Sequence, residues 1–189
     1  MGNLEPSLVH IFGYREILTL DTRGRFCIPD DLARELHQQL ARAAGDSPLP
    51  PRAFQRISFY LVPGTQRRIF LYPPTNISVA VERFENPPAG GDAAQVRAAR
   101  DYFYSMMSFA EADRQNRVQI PDHLREHAAL NGKDRQILIA GHNLWLTITK
   151  GDAAGEMRLK GLEALENVGP NVLDRVDTVQ PSGGEDATP

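Results

Sequence analysis

The chain has 189 residues, of which 41% are hydrophobic and 24% charged, with a formal net charge of −3; this is the composition of an ordinary globular protein of one or two small domains. Its apolar runs are too short for a membrane span, and residues 1–6 have neither a basic region nor an apolar core, so no secretory signal is expected. Cys27 is the only cysteine, which excludes an internal disulfide framework and fits a reducing cytoplasm.

In chain order, Ile17-Leu-Thr-Leu20 reads as a strand leading into a turn at Asp21-Thr-Arg-Gly24, and Arg25-Phe-Cys-Ile28 as the strand leaving it. Pro29 ends that strand, and Asp30 or Asp31 is placed to cap a helix carrying Leu32, Leu36 and Leu40 at helical spacing. After a Pro-rich loop at 47–52, the runs 57–62 and 69–72 flank Pro63-Gly-Thr65 and predict a hairpin. Residues 75–84 predict a short helix capped at Thr75, and Asn86-Pro-Pro-Ala-Gly-Gly91 marks a boundary. Residues 92–108 predict a helix rich in Ala and Arg. A second turn comes at 113–117, then Pro121 and Asp122 opening a helix with Leu124 and Ala128. A second hairpin is expected from 136–140 and 144–148 around Gly141-His-Asn143. Beyond about 169 the chain is poor in apolar residues and reads as an acidic disordered tail.

The charge is unevenly spread. Residues 1–150 carry 18 Lys and Arg against 16 Asp and Glu, whereas 151–189 carry 3 against 8. A weakly basic body with an acidic tail permits a nucleic-acid partner only if several small basic patches act together.

The dominant signal is an internal duplication. Asp21-Thr-Arg-Gly-Arg-Phe-Cys-Ile-Pro-Asp-Asp-Leu32 aligns without gaps on Asp113-Arg-Gln-Asn-Arg-Val-Gln-Ile-Pro-Asp-His-Leu124, with six of twelve positions identical. In each copy the Asp is set to bond its own backbone two residues on, as in a type I turn. It also lies four residues from an arginine, Arg25 or Arg117, close enough to orient the guanidinium. Gly24 suits the close of the first turn; Asn116 takes its place in the second and tolerates a positive φ. Arg23 and Arg114 have no evident partner. An Asp and Arg that only lock a turn would also be duplicated, so the pairing alone leaves structural and binding roles both open.

These blocks are where a resemblance emerges. Leu20-Asp-Thr-Arg-Gly-Arg-Phe-Cys-Ile-Pro29, with Ile11-Phe-Gly before it and Leu71-Tyr-Pro73 after, resembles the first half of the MraZ family. Ala112-Asp-Arg-Gln-Asn-Arg-Val-Gln-Ile-Pro121, with Leu124-Arg-Glu-His-Ala-Ala-Leu130 and Ile137-Leu-Ile-Ala-Gly141, resembles the second half. The resemblance covers roughly residues 10–150. It implies an α+β fold of two tandem AbrB-like β-modules with short flanking helices, related by a pseudo-twofold axis. Their expected extents are 10–86 and 104–168, joined by a linker and helix at 87–103 and followed by the tail at 169–189. It further implies a cytoplasmic, nucleoid-associated regulator that binds double-stranded DNA upstream of division and cell-wall genes as a ring-shaped homo-oligomer. Arg25 and Arg117 are then the motif arginines tied to DNA, joined by Arg23 and Arg114, with Asp21, Gly24, Asp113 and Asn116 shaping the turns. Three features depart from the family pattern: Asn116 in the second turn, the early position of Trp145, and a longer stretch from His37 to Arg56.

The alternative is a protein-interaction module, antitoxin-like or a ring scaffold that has lost DNA binding. No Ser/His/Asp ordering, phosphate loop or paired-carboxylate site points to an enzyme, a cofactor, a small-molecule substrate or a metal. His123 and His127 are four apart on a predicted helix but lack a third ligand. Cys27 is expected as a small buried hydrophobe in its strand, and Arg67-Arg68 as a solvated turn or a second phosphate contact.

Overall fold

The structure, a computed structural model, describes residues 8–11, 13–43, 56–86, 92–133, 135–152 and 155. The expected loop at 47–52, most of the boundary at 87–91 and the tail at 169–189 lie outside these residues. The chain divides into two compact units, Met1–Gly151 and Asp152–Pro189, and every strand among the described residues belongs to the first.

The class is α+β. The strands are β1 (Arg15–Thr19), β2 (Arg25–Cys27), β3 (Ser58–Pro63), β4 (Ile69–Tyr72), β5 (Ser108–Glu111), β6 (Arg117–Gln119), β7 (Gln136–Gly141) and β8 (Leu146–Lys150). The helices are α1 (Asp30–Ala43), α2 (Ile77–Glu85), α3 (Ala93–Met106) and α4 (Asp122–His127), with a 3-10 turn at Pro74–Asn76. Six strands form one antiparallel sheet in the order β1-β7-β8-β4-β3-β5, and β2 and β6 form a separate two-stranded ribbon. The expected hairpins β3–β4 and β7–β8 are both present.

The strands around each Asp turn do not behave as a simple hairpin. The turns close locally, Asp21 N–H to Arg25 C=O at 2.8 Å and Asp113 N–H to Arg117 C=O at 2.9 Å. Beyond them the strands part: β1 pairs with β7 and β5 with β3, while β2 pairs with β6. Apart from the hairpins β3–β4 and β7–β8, every strand pairing thus joins the first copy to the second. Exchanging β1, β3 and β4 for β5, β7 and β8 reproduces the same sheet order read from the other end.

Binary patterning explains the packing. In β2 and β6 only the central residues, Phe26 and Val118, face inward, as period-two alternation requires. They join Ile28, Ile120, Leu32, Leu36 and Leu124 in a core shared with the six-stranded sheet. A smaller cluster of Val62, Tyr72, Ala80 and Phe103 lies where α2 and α3 pack, flanked by Phe70 and Trp145.

Three local expectations need correction. Cys27 is exposed, not buried, because it flanks inward-facing Phe26 and so points outward. Asp122 does not cap α4: Pro121 is the N-cap residue and no side chain bonds there. Asp30 and Asp31 lie within the first turn of α1, where their charge suits the helix dipole. Thr75 does not cap α2 either, since the 3-10 turn intervenes and Asn76 is the N-cap. Asn76 is instead fully buried and binds Val9 N–H, Val9 C=O and Leu144 C=O at 2.9, 2.6 and 2.8 Å. Asp92, by contrast, does cap α3, accepting from Ala94 N–H at 2.9 Å.

Candidate nucleic-acid interface

The ribbon brings both Asp turns to the ends of one small surface. Its register sets Arg25 opposite Gln119, Phe26 opposite Val118, and Cys27 opposite Arg117. With Phe26 and Val118 inward, the outward face consists of Arg25, Cys27, Arg117 and Gln119. The ends are stitched in matching fashion: Ile28 N–H reaches Asn116 C=O at 2.8 Å and Ile120 N–H reaches Gly24 C=O at 3.1 Å. Gln119 Nε2 donates to Arg23 C=O at 3.3 Å, and the Cys27 thiol to Gln115 C=O at 3.4 Å.

Within each turn the aspartate is saturated. Asp21 Oδ1 accepts from the N–H groups of Arg23 (2.8 Å) and Arg25 (2.9 Å), and Oδ2 from Arg25 Nε (2.7 Å) and Nη2 (2.6 Å). Asp113 repeats this with Gln115 N–H (2.8 Å), Arg117 N–H (3.0 Å), Arg117 Nε (2.8 Å) and Nη2 (2.7 Å). Corresponding distances differ by no more than 0.1 Å, so the sequence repeat is a geometric repeat. Arg25 Nη1 also lies 3.9 Å from Asp113 Oδ2, which places the two pairs side by side.

The electrostatics derive from these bonds. Asp21 is lowered to about 2, chiefly by the Arg25 backbone N–H and then by its side chain, against an opposing desolvation. Asp113 is also lowered to about 2, chiefly by the Arg117 guanidinium. Arg117 is raised by that same bond and further by Asp113 and Asp21 charge. Four-residue spacing therefore lets Nε and Nη2 of each arginine converge on one carboxylate oxygen in both copies. Arg25 and Arg117 are held in one orientation, with Nη1 N–H groups left outside these bonds.

The turn tips differ in character. Arg23 and Arg114 are exposed, and neither has an ion-pair partner among the described residues. Gly24 and Asn116 both take left-handed backbone, φ 73° and 56°, so the second turn keeps its geometry without glycine. The reason glycine matters more in the first turn is Arg125. A Cβ on Gly24 would come within 2.5 Å of Arg125 Nε, whereas Ala33 holds Arg125's place in the other copy.

The other candidate residues have local roles. His123 Nε2 lies 3.1 Å from both Ser108 Oγ and Met106 C=O. His127 lies 2.8 Å from Tyr102 Oη through Nδ1 and 3.0 Å from Gly64 C=O through Nε2. The two rings thus face different groups. Arg68 bonds Thr65 C=O at 3.1 Å and sits over the Phe70 ring, while Arg67 is exposed with φ 55°. No described helix is long and apolar enough to cross a membrane. Sequence reasoning passed over Gln119, Gln115, Arg125 and Arg135. Period-two alternation around Val118 marks Gln119 as outward-facing, but the other three depend on tertiary contacts.

Among known proteins, the chain is similar to several that carry the name transcriptional regulator MraZ. It is 32% identical over 122 residues to that of Lachnoclostridium phytofermentans, covering 65% of this chain and 69% of the relative. It is 27% identical over 117 residues to that of Heliobacterium modesticaldum, covering 62% and 78%. Over 156 residues it is 24% identical to that of Natranaerobius thermophilus, covering 82% and 92%. No protein-family profile matches the chain.

Proposed function

The chain belongs to the MraZ family, and from that premise we propose that it is a sequence-specific double-stranded DNA-binding transcriptional regulator acting as a homo-oligomeric ring. On this reading residues 10–86 and 104–168 are two AbrB-like copies that exchange strands, an arrangement supported by the palindromic sheet order. The observation that carries the proposal is the ribbon. Its two ends present congruent turns, each with a locked arginine and an exposed one.

A two-stranded ribbon fits the DNA major groove. Arg25, Arg117 and Gln119 on its outward face have the side chains that read base edges bidentately, Arg to guanine and Gln to adenine. Arg23 and Arg114 at the tips are placed to meet phosphates. One ribbon is a modest charge, so affinity would come from several copies engaging consecutive sites. Ile17 on β1 and Phe109 on β5 support assembly. They are 59% and 55% exposed, occupy equivalent positions of the repeat, and lie on the two edge strands, where apolar surface invites pairing with another copy. Division and cell-wall genes are the expected targets, and a cytoplasmic, nucleoid-associated location belongs to the same reading.

One observation favours a protein-interaction module instead: both motif arginines already have carboxylate partners. A gel shift with DNA from upstream of the chain's own gene separates the two. Wild type should shift it; Arg23→Ala and Arg114→Ala should weaken the shift, and Arg25→Ala should weaken it more. No shift by wild type would favour the interaction module.

A further inference from the structure

Beside the first turn lies a cavity of about 150 Å³, whose lining includes Thr22, Gly24, Arg125, Asn131, Gly132 and Arg135. Its lining is chiefly polar, and among the described residues two arginines face one aspartate there. Asp21 also borders it, but the four N–H groups of Arg23 and Arg25 already occupy both its oxygens. Arg125 pairs through Nη2 with Asp122, a carboxylate standing almost wholly in water. The Arg125 Nε is buried and has no hydrogen-bond partner among the described residues. Arg135 is exposed and has no ion pair among them. Its carbonyl accepts from Leu20 N–H at 2.9 Å, which ties its backbone to the strand entering the turn. Gly24 leaves room for Arg125 to lie against the turn, since a Cβ would fall 2.5–2.8 Å from Nε, Cδ and Cζ.

We propose that this cavity is a phosphate-binding site, in which the Arg125 and Arg135 guanidiniums, aided by the Thr22 and Asn131 side chains, hold one phosphate group. Two arginines line a space in which, among the described residues, the one lining carboxylate is already saturated, and the guanidinium fork matches the geometry and charge of an oxyanion. The second turn lacks the first of them, because Ala33 stands where Arg125 would be. The two ends of the ribbon are therefore chemically unequal, and the first carries the extra anchor. The phosphate has two sources, the DNA backbone or a free phosphate-bearing solute. The first source rests on the DNA-binding reading and the second does not.

Inorganic phosphate at constant ionic strength, with chloride as control, is titrated against the full chain and read by amide NMR shifts at Thr22, Gly24 and Asn131. DNA affinity against salt is measured on the same samples. Arg135→Gln, an exposed change that preserves the fold, is the main variant; Arg125→Gln is the second. Saturable phosphate shifts in wild type, weakened at least about tenfold in both variants and untouched by Arg114→Gln, are expected. If DNA is the source, Arg135→Gln also makes the salt slope shallower by about one unit, an affinity ratio of about three- to fourfold between 50 and 200 mM salt. Phosphate shifts lost with the slope unchanged assign the site to a free solute. No phosphate shift beyond chloride, together with an unchanged slope in both variants, overturns the site. DNA binding that is still weakened by Arg23→Ala would then leave the DNA reading standing, and phosphate binding without DNA binding would do the reverse.

Discussion

Gly24→Ala is the substitution whose cost the geometry defines most closely. The residue sits at φ 73°, where a Cβ costs about 1–2 kcal/mol. Restricting the unfolded chain returns about 0.4–1 kcal/mol of that. The new methyl would also lie 2.5 Å from Arg125 Nε, so the guanidinium must swing out. That breaks its pair with Asp122, which contributes about 0–1 kcal/mol, and loses the packing against the turn. The net expectation is a loss of about 1–2 kcal/mol, or a fall in Tm of about 3–6 °C for a unit of this size. Asn116→Gly, at φ 56° in the equivalent turn, should change stability by less than about 0.5 kcal/mol, because asparagine already tolerates that backbone. A double-mutant cycle isolates the steric part: Gly24→Ala should cost less in an Arg125→Ala background. Thermal and chemical denaturation of the four proteins supply the numbers. Equal costs of Gly24→Ala in both backgrounds would refute the contact between Arg125 and the turn. A Gly24→Ala protein as stable as wild type would refute the backbone argument as well.

Further tests address charge, buried polarity and the tail. Asp21 and Asp113 are lowered to about 2 from 3.8, so their ionised forms add stability that is complete above pH 3.8 and is lost as pH falls towards 2. An Asp21→Asn protein should lose less stability than wild type across that window in acid titrations followed by circular dichroism; identical acid profiles would count against the lock. Asn76→Ala strips two buried backbone groups of Val9 and the partly buried Leu144 C=O of their partner. Urea denaturation should show a loss of about 3 kcal/mol or more, and a loss under about 1 kcal/mol would contradict it. Removing residues 169–189, which carry Asp174, Asp177, Glu185 and Asp186 against Arg175, should tighten binding to random DNA at fixed salt. Unchanged affinity would show that this acidic segment does not oppose DNA.

The parts of the fold that were legible in the chain are those set by neighbours in sequence. The turns close through a side chain two and four residues from its partners, so Asp21 and Asp113 disclosed them. The hairpins β3–β4 and β7–β8 join runs only a few residues apart. The pairing of β1 with β7 and of β5 with β3 joins strands from different copies, and periodicity carries no information on which distant edge a strand joins. Cys27 was misplaced because a small apolar residue in a strand suits either face; Phe26, the larger neighbour, took the inside. Thr75 and Asp122 have capping side chains, yet Asn76 and Pro121 took those places because the preceding backbone fixed where each helix begins. Of the site, the arginines and their division of labour were legible: four-residue spacing pointed to Arg25 and Arg117 as the ones paired with Asp21 and Asp113, and left Arg23 and Arg114 without a partner. Only the tertiary structure shows that the ribbon's register sets the two pairs side by side and that Arg125 and Arg135 approach the first turn.

The central claim is that the two ends of the ribbon contact DNA together, and it is tested most directly by equilibrium titration of labelled upstream DNA across a salt series. The wild type is compared with the Arg23→Ala/Arg114→Ala double variant. The two exposed arginines should account for about two units of the salt slope per ribbon, so the double variant should bind more weakly and with a slope shallower by at least that amount. A double variant that retains both the affinity and the slope of wild type would contradict the account.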